Sequence, residues 1–527
     1  MSAARSLLCS AAALLVLAFP SASAAKDLSV ALGAAITSLD PHYHAYSPNT
    51  SMSKHVFDAL IRSDAKQKLT PGLATAWKAL NDTTWEIQLR KGVKWHDGSD
   101  FSAEDVVFSF KRAPNVPNSP SSFGTYVPKD LMVEVKNPHL IHVKSAKPAP
   151  TFPNDISVIA MVSKKHGEKA TTEDYNSGKA AIGTGPYKFV SYVPGERIVL
   201  AANDKYWGGR EPWDKVTFKV IVNPAARVAA LLSGGADFIE SVPTADAAQL
   251  EKDKNLNVAS GISNRLIFLH IDTGREKNSP FVTDNAGQPM LETNPLRDFR
   301  VRKAMSLAMS REAIVARVME GKAVPAGQLL PEFFFGASKK LKPEKYDPDA
   351  GRRLMAEAGY PNGFRITVHG PNNRYINDDK IAQTVAQLLR RVNIDARVET
   401  MPSSVYFTRA SKLDFSLMLV GWGAESGETS SPLRALIHSY NTQLGFGTAN
   451  RGRYSNAKVD ALTQQALATI DDGKREALLA EAAEIAIGEL AIIPLHYEVS
   501  TWGMKKNLSY KARSDQYTLA MDIRPAN

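Results

Sequence analysis

The chain has 527 residues, of which 44% are hydrophobic and 22% are charged, and this composition excludes an intrinsically disordered protein. Its formal charge of +10 is scattered among acidic residues rather than gathered in a run, so we expect no nucleic-acid partner. The length exceeds that of one ordinary core and predicts two to four domains.

The first residues are typical of a cleavable signal peptide. Arg5 precedes an apolar stretch at 7–19, which is too short to span a bilayer comfortably, and 22–24 offers the small residues that signal peptidase requires. Cys9, the only cysteine, lies inside this stretch and not at its end, so a lipid anchor is not expected. We predict cleavage after Ala24, with export to the periplasm of a chain that lacks thiols.

The next part of the chain alternates strand and helix patterns. Strands are predicted at 28–32, 85–89, 93–95 and 188–192, and a helix at 224–232. Ser102, with Asp105 three residues later, predicts a capping box. The loop after the first strand holds His44 and Tyr46, which we predict to contact ligand from the wall of a cleft. His42 and His44 would share one face of an extended chain, so a metal or haem contact is the alternative.

The segment 273–294 lacks periodicity and predicts a long connection between domains. After it, helices are predicted at 299–308, 311–320 with Ser310 as the cap, 348–359, 459–470 and 475–489. Strands at 365–368 and 414–420 flank a helix that begins near Ile381, and a last strand is expected near 492–497. This strand–helix–strand order predicts an α/β lobe.

Motifs for catalysis are almost absent from the sequence. It contains no HExxH, GxSxG or Walker-type loop. Ser51 and Lys54 match the S-x-x-K spacing of some serine acyl-enzymes without the partner motifs, so an exported hydrolase is an unfavoured alternative.

One group of residues is suited to binding. Trp422 and Glu425 follow an apolar strand, at the position where α/β sheets place ligands. A carboxylate there could meet a cationic group of a ligand, although a solvated glutamate is the simpler reading. Arg374 and Tyr375 lie on the other strand-to-helix connection, where an arginine suits a carboxylate or phosphate.

Several motifs in a fixed order give a resemblance to a known family. They are Trp85, Leu89, Gly92, Asp97, Gly98 and the residues at 103–106, 183–189, 203–207, 301–304, 346–359 and 453–456. In these the chain resembles bacterial solute-binding protein family 5, the peptide, opine and nickel receptors of ABC importers. The resemblance implies an α/β fold, a two-lobed periplasmic binding protein of class II (the Venus flytrap type) with an extra domain beside the N-terminal lobe.

The domain boundaries expected from this resemblance are as follows. Residues 1–24 form the signal peptide, 25–60 the first part of lobe I, 61–182 the extra domain and 183–272 the second part of lobe I. Residues 273–294 form the inter-lobe connection, 295–493 lobe II and 494–527 the third part of lobe I.

The resemblance also implies a function. The segment at 421–425 is similar to the one in which peptide-binding members place an Asp for the peptide's amino terminus; here it is Glu425, one methylene longer. Arg374 resembles the arginine that holds the peptide's carboxylate in dipeptide-binding relatives. We therefore expect a monomeric receptor that delivers short peptides to a permease and an ATPase, with no cofactor or resident metal. An opine, a glycoside or a metal chelate is the alternative cargo.

Overall fold

A computed structural model describes residues 26–128 and 130–526. The predicted signal peptide, 1–24, lies outside these residues. The strands are β1 (Asp27–Leu32), β2 (Ile61–Ser63), β3 (Leu69–Pro71), β4 (Ala74–Asn81), β5 (Thr84–Leu89), β6 (Met132–Asn137), β7 (Leu140–Lys144), β8 (Tyr187–Val193), β9 (Arg197–Ala202), β10 (Lys215–Val220), β11 (Phe238–Ile239), β12 (Leu256–Ile271), β13 (Val282–Thr283), β14 (Ala323–Pro325), β15 (Arg365–Pro371), β16 (Asp395–Met401), β17 (Leu417–Gly423), β18 (Ile492–Lys505), β19 (Leu508–Tyr510) and β20 (Ile523–Pro525).

The helices are α1 (Ser47–Val56), α2 (Ala103–Arg112), α3 (Phe152–Ile156), α4 (Lys164–Gly167), α5 (Thr172–Asn176), α6 (Pro224–Leu232), α7 (Thr244–Lys252), α8 (Phe299–Ala308), α9 (Arg311–Ala313), α10 (Pro348–Glu357), α11 (Asp378–Leu389), α12 (Ser403–Ser411), α13 (Ser430–Pro432), α14 (Ala457–Ala466) and α15 (Asp472–Gly488). Helices α9 and α13 continue into wide π turns at Ile314–Val318 and Leu433–Ile437. Short 3-10 turns lie at Ala113–Asn115, Phe123–Thr125, Pro295–Arg297, Arg390–Val392 and Ala520–Asp522.

One twelve-stranded mixed sheet runs through the molecule. Its order is β13-β15-β17-β12-β18-β11-β1-β10-β9-β8, with β14 beside β18 and β16 beside β15. We call the part around β1 and β8–β11 lobe I, and the part around β13 and β15–β17 lobe II. Each lobe has its own buried core. The core of lobe I includes Val30, Ile198 and Phe218, and that of lobe II includes Leu269 and Val368.

The long strands β12 and β18 connect the two lobes. Residues Leu256 to Ile262 of β12 pair with Lys505 to Val499, beside lobe I, and Leu266 to His270 pair with Tyr497 to Ile492, beside lobe II. The register shifts between Ile262 and Leu266, because the ladder is interrupted where the chain passes between lobes. The segment 273–294 follows this crossing and contributes β13, which pairs with β15 of lobe II.

A separate antiparallel sheet, β4-β5-β7-β6, packs against α2. Its core contains Ile87, Val106, Phe110 and Ile141, all buried. This sheet lies within the range expected for the extra domain, and the domain boundaries themselves stay a prediction.

Local patterns predicted most of these elements, with some differences. The helix expected at 311–320 is α9 followed by a π turn, and the strand expected near 492–497 continues to Lys505. The capping box at Ser102 is present, with the Ser102 backbone N–H donating to Asp105 (2.9 Å). The expected strand at 93–95 is only an isolated bridge between Lys94 and Asp100, because the chain turns back over this short distance. Ser310 makes no side-chain cap to α9.

Candidate functional site

Glu425 lies where the two lobes meet. It follows the end of β17 in lobe II, and its carboxylate accepts hydrogen bonds from the Ser47 hydroxyl (2.7 Å) and the Tyr517 hydroxyl (2.7 Å). Its backbone carbonyl accepts from the Gln67 side-chain amide (3.1 Å), which also donates to Ala424 (3.2 Å). Ser47 and Gln67 precede β12 in the chain and Tyr517 follows β18, so all three donors lie outside lobe II. Glu425 therefore connects lobe II with residues on the other side of the cleft between the lobes.

A small cavity of about 30 Å³ lies against this carboxylate. Four aromatic rings and two hydroxyl side chains contribute to its wall: Tyr46, Phe123, Tyr126, Tyr517, Ser47 and Thr50. Within residues 26–128 and 130–526, no Lys, Arg or His forms an ion pair with Glu425. A carboxylate bonded by hydroxyl groups, and not by a cation, is suited to receive a positively charged group of a ligand.

Two tyrosines of the cavity, Tyr126 and Tyr517, have raised pKa values. Burial raises the pKa of Tyr517, and the neighbouring Glu425 charge raises it further. The pKa of Tyr126 is raised by burial first and then by Glu425 and Asp155. Both hydroxyls therefore keep their protons at neutral pH, and the Tyr517 hydroxyl donates to the Glu425 carboxylate.

His44 and Tyr46 lie on the lobe I side of the cleft. Their rings stack with centroids 5.1 Å apart, and the His44 Nδ1 lies 3.0 Å from the Thr37 hydroxyl. Burial lowers the pKa of His44, which favours the neutral ring. His42 is fully buried, with Nε2 2.8 Å from the Ala160 carbonyl oxygen, so it does not share an exposed face with His44. Among the residues that the structure describes, no group of three or more His, Asp or Glu side chains could hold a metal ion.

Trp422 is the next-to-last residue of β17, and not beyond the strand as the sequence predicts, and Tyr375 packs against this strand end. The Trp422 indole N–H donates to the Ser431 hydroxyl (3.3 Å), and the Tyr375 hydroxyl donates to the Gly421 carbonyl (3.1 Å). A Cβ at Gly421 would lie 2.7 Å from both the Tyr375 ring and Ile267, so only glycine permits this close approach. Tyr375 thereby holds its loop against the strand that leads to Glu425.

Arg374 is exposed on that loop. Its guanidinium carbon lies 5.3 Å from the centroid of the Tyr375 ring, and its backbone N–H donates to Asp378 (2.8 Å). It does not line the cavity beside Glu425. Of the six residues that the sequence predicts for ligand binding, the structure brings Tyr46 and Glu425 to one cavity. The other four do not line it: His44, Arg374, Tyr375 and Trp422.

Sequence reasoning missed Ser47, Phe123, Tyr126 and Tyr517. Each lies in a segment without a motif, and Phe123 directly follows a Pro, Asn and Ser cluster that is typical of a surface loop. The S-x-x-K pattern does not form a catalytic pair here. The Ser51 hydroxyl donates to the Thr518 carbonyl (3.2 Å) and accepts from the Thr518 backbone N–H (3.2 Å), while Lys54 donates to the Ser157 carbonyl (3.4 Å).

Solved structures share this fold. HbpA2 from Haemophilus parasuis matches with a TM-score of 0.81 at 22% identity, covering 95% of this chain and 100% of that one. The periplasmic binding protein DppA from Helicobacter pylori, in complex with the peptide STSA, matches with a TM-score of 0.75 at 24% identity, covering 95% and 98%. These matches show the two-lobed fold of periplasmic binding proteins.

The chain belongs to the bacterial extracellular solute-binding proteins, family 5, whose middle region matches residues 68–443. It is 30% identical over 510 residues to the glutathione-binding protein GsiB of Salmonella typhimurium, covering 94% of this chain and 93% of GsiB. It is also 30% identical to GsiB of Escherichia coli O157:H7 over 504 residues, covering 93% and 92%. The family has the substrate-binding role in ABC transporters and consists of binding proteins rather than enzymes. Across 26–128 and 130–526, no helix is both long and apolar enough to cross a membrane.

Proposed function

We propose that this protein captures short peptides, or peptide-like compounds such as glutathione, between its two lobes. The observation that carries the proposal is the Glu425 carboxylate, which lies at the lobe interface beside aromatic rings and, among the described residues, has hydroxyl and not cationic partners. A free amino group of the ligand would supply the missing positive charge. GsiB is named as a glutathione-binding protein and DppA was solved with a peptide, which supports this class of cargo.

The carboxylate end of the ligand would be held by Arg374. Tyr375 fixes the backbone of this loop against Gly421, so Arg374 lies on the same end of the lobe II sheet as Glu425. Its guanidinium is exposed and has no carboxylate partner within ion-pair distance among the residues described. A ligand fixed at both ends would be a short zwitterion, and each charge left without its partner would weaken binding.

The remaining wall of the site would select the ligand by shape. Tyr46 and its stacked neighbour His44 would cover one side, and Trp422 would form part of the wall on the lobe II side. Aromatic surfaces accept varied side chains while the polar ends fix orientation, which is how small-molecule sites combine affinity with specificity.

The proposed role also includes location and partners. The predicted leader at 1–24 supports export to the periplasm after cleavage, and the family supports delivery of cargo to a permease and an ATPase of an ABC importer. We propose that the mature protein acts as a monomer. We also propose that it carries out no catalysis, since Ser51 is bonded to Thr518 and not to Lys54.

Native mass spectrometry of the protein purified from the periplasm tests the cargo. The expected result is a bound short peptide or γ-glutamyl peptide that is released intact on denaturation. An opine, a glycoside or a nickel chelate in its place would contradict the peptide assignment. Cleavage of added peptides by the purified protein would contradict the absence of catalysis.

A further inference from the structure

A second and larger cavity, of about 360 Å³, lies between lobe I and the range expected for the extra domain, outside lobe II. Its wall comes from residues in three ranges, 54–70, 186–211 and 511–522. None of these residues lies in β13 to β17 or elsewhere in lobe II, so opening and closing of the two lobes does not dismantle it. Tyr517 lies between this cavity and the cleft. Its ring centroid is 5.8 Å from the ammonium of Lys54, which lines the cavity, and its hydroxyl donates to Glu425 in the cleft.

The two arginines of this cavity are already paired. Arg62 bonds the Asp58 carboxylate and the Tyr206 hydroxyl. Arg513 bonds both oxygens of Asp515 (2.6 and 3.0 Å) and one of Asp522 (2.9 Å). The charge of each guanidinium is therefore already balanced by at least one carboxylate.

The carboxylates that line the cavity also have partners. Asp58 is held by Arg62, Asp522 by Arg513, and Glu211 by Arg524 at 2.8 Å. Asp64 accepts from the backbone N–H groups of the turn that follows it, those of Lys66 (2.7 Å) and Lys68 (3.0 Å).

Lys54 differs from these groups. Its ammonium donates to the Ser157 carbonyl at 3.4 Å, and within residues 26–128 and 130–526 it has no carboxylate within 4 Å. Asp515, whose charge acts most strongly on it, is committed to Arg513. Burial lowers the pKa of Lys54 to about 8, so the amine is still mostly charged at neutral pH. Lys511, which is exposed and lines the same cavity, also has no carboxylate partner in the described part of the chain.

The body of the cavity is apolar as well as charged. Phe57, Leu519 and Met521 line it, and the first two are buried. The volume is within the range of small-molecule sites, about 300–1,000 Å³, whereas a cavity for water alone needs far less. An uncommitted ammonium beside apolar side chains is suited to a carboxylate with an apolar body.

We propose that this cavity is a second binding site, for a small organic carboxylate whose anionic group pairs with Lys54 and whose apolar part packs on Phe57 and Leu519. Lys511 adds positive charge on the solvent side. The two cavities share no lining residue, so we expect each to bind its own ligand.

Benzoate is the probe for this site, measured by calorimetry at pH 7 and constant ionic strength. We expect saturable millimolar or tighter binding that survives Glu425→Gln and weakens roughly tenfold or more in Lys54→Met, which loses a charged hydrogen bond. Lys66→Met removes an exposed lysine of the same region and should leave benzoate binding unchanged. Absence of saturable binding in the wild type, or equal affinity in Lys54→Met, would overturn the proposal.

Two further measurements test the proposed carboxylate site without relying on Lys54→Met alone. Inorganic phosphate that displaces benzoate with equal affinity would overturn the assignment to a carboxylate with an apolar body. If Lys54→Met does not fold, reductive ¹³C-methylation of the wild-type lysines, with the Lys54 signal assigned from Lys54→Arg, replaces it. A Lys54 signal that shifts saturably with benzoate supports the site, and one that does not move refutes it.

Discussion

Replacing Glu425 with glutamine removes the negative charge from the cleft while keeping the length of the side chain. The amide oxygen can still accept from the Ser47 or Tyr517 hydroxyl, but the amide nitrogen cannot accept from the other. The variant therefore loses both the charge that we propose for ligand recognition and one buried hydrogen bond of the lobe interface.

The two losses differ in size and in the state that they affect. A hydrogen bond to a charged group is worth about 1.5–3 kcal/mol, which corresponds to a rise in the Kd of an unblocked peptide by a factor of roughly 10 to 150. The unsatisfied hydroxyl costs about 1–3 kcal/mol. This cost is the same with and without bound ligand, as long as the lobes are in contact.

N-acetylation of the peptide distinguishes the loss of charge from the loss of the hydrogen bond. It removes the ligand's ammonium group, so acetylation should raise the Kd of the wild type by the factor of roughly 10 to 150 and that of Glu425→Gln by little. Calorimetry of the wild type and the variant with free and acetylated tripeptide gives a double-mutant cycle, whose coupling energy should be about 1.5 kcal/mol or more. The same cycle with glutathione tests the γ-glutamyl amino group.

Glu312→Gln is the matched control, because Glu312 is an exposed glutamate on α9. It should leave every affinity unchanged. A coupling energy near zero, with acetylation costing the wild type and Glu425→Gln the same, would refute the pairing of Glu425 with the amino terminus even if the variant binds weakly.

Three other predictions concern single residues. Arg374→Ala should weaken binding of a free peptide roughly tenfold or more but not that of its C-terminal amide, because only the former carries a carboxylate; an unchanged calorimetric affinity would exclude Arg374 from the site. Arg112→Met leaves the buried Asp40 carboxylate without the guanidinium that bonds it at 2.7 Å, so urea unfolding should show a loss of about 3–5 kcal/mol, and a loss below about 1 kcal/mol would contradict this reasoning. Burial raises the pKa of Asp40, but bonding to Arg112 lowers it by more, so this stability is present above the unfolded-state pKa and is lost as the pH falls through the lower folded value. Burial raises the pKa of Asp155 to about 7 despite the opposing charge of Arg434. The folded state therefore binds this proton more tightly than the unfolded state, and the stability that this contributes is lost as the pH rises from about 4 through 7. Melting curves at pH 5 and pH 8 should therefore show a larger loss in the wild type than in Asp155→Asn, and equal losses would be inconsistent with the raised pKa.

Features that depend on neighbouring residues were predictable. The capping box at Ser102 joins residues three apart, and helix α8 has the predicted bounds, because caps and apolar periodicity are written within one or two turns of chain. Ser310 shows the limit of this reasoning. Its residue type suits a cap, but its backbone does not present the hydroxyl to the helix, and the helix continues into a π turn.

The site was predictable only in part. Glu425 and Trp422 were predicted from the apolar run at 417–420 that precedes them, and Tyr46 from a polar loop; their contact with ligand stays a prediction. Tyr375 was placed on the correct connection, but its packing against Gly421 joins residues 46 positions apart and has no local pattern.

The sequence by itself determined the family, the alternating α/β elements and the candidate carboxylate, because ordered motifs, periodicity and caps are local properties. Tertiary structure alone decided what surrounds that carboxylate. Ser47 is 378 positions from Glu425 and Tyr517 is 92, and they meet it because β12 and β18 carry the chain between the lobes. The same long-range packing left Lys54 without a carboxylate partner in the described chain and formed the cavity beside it, since no local pattern records which charges become paired when distant segments come together.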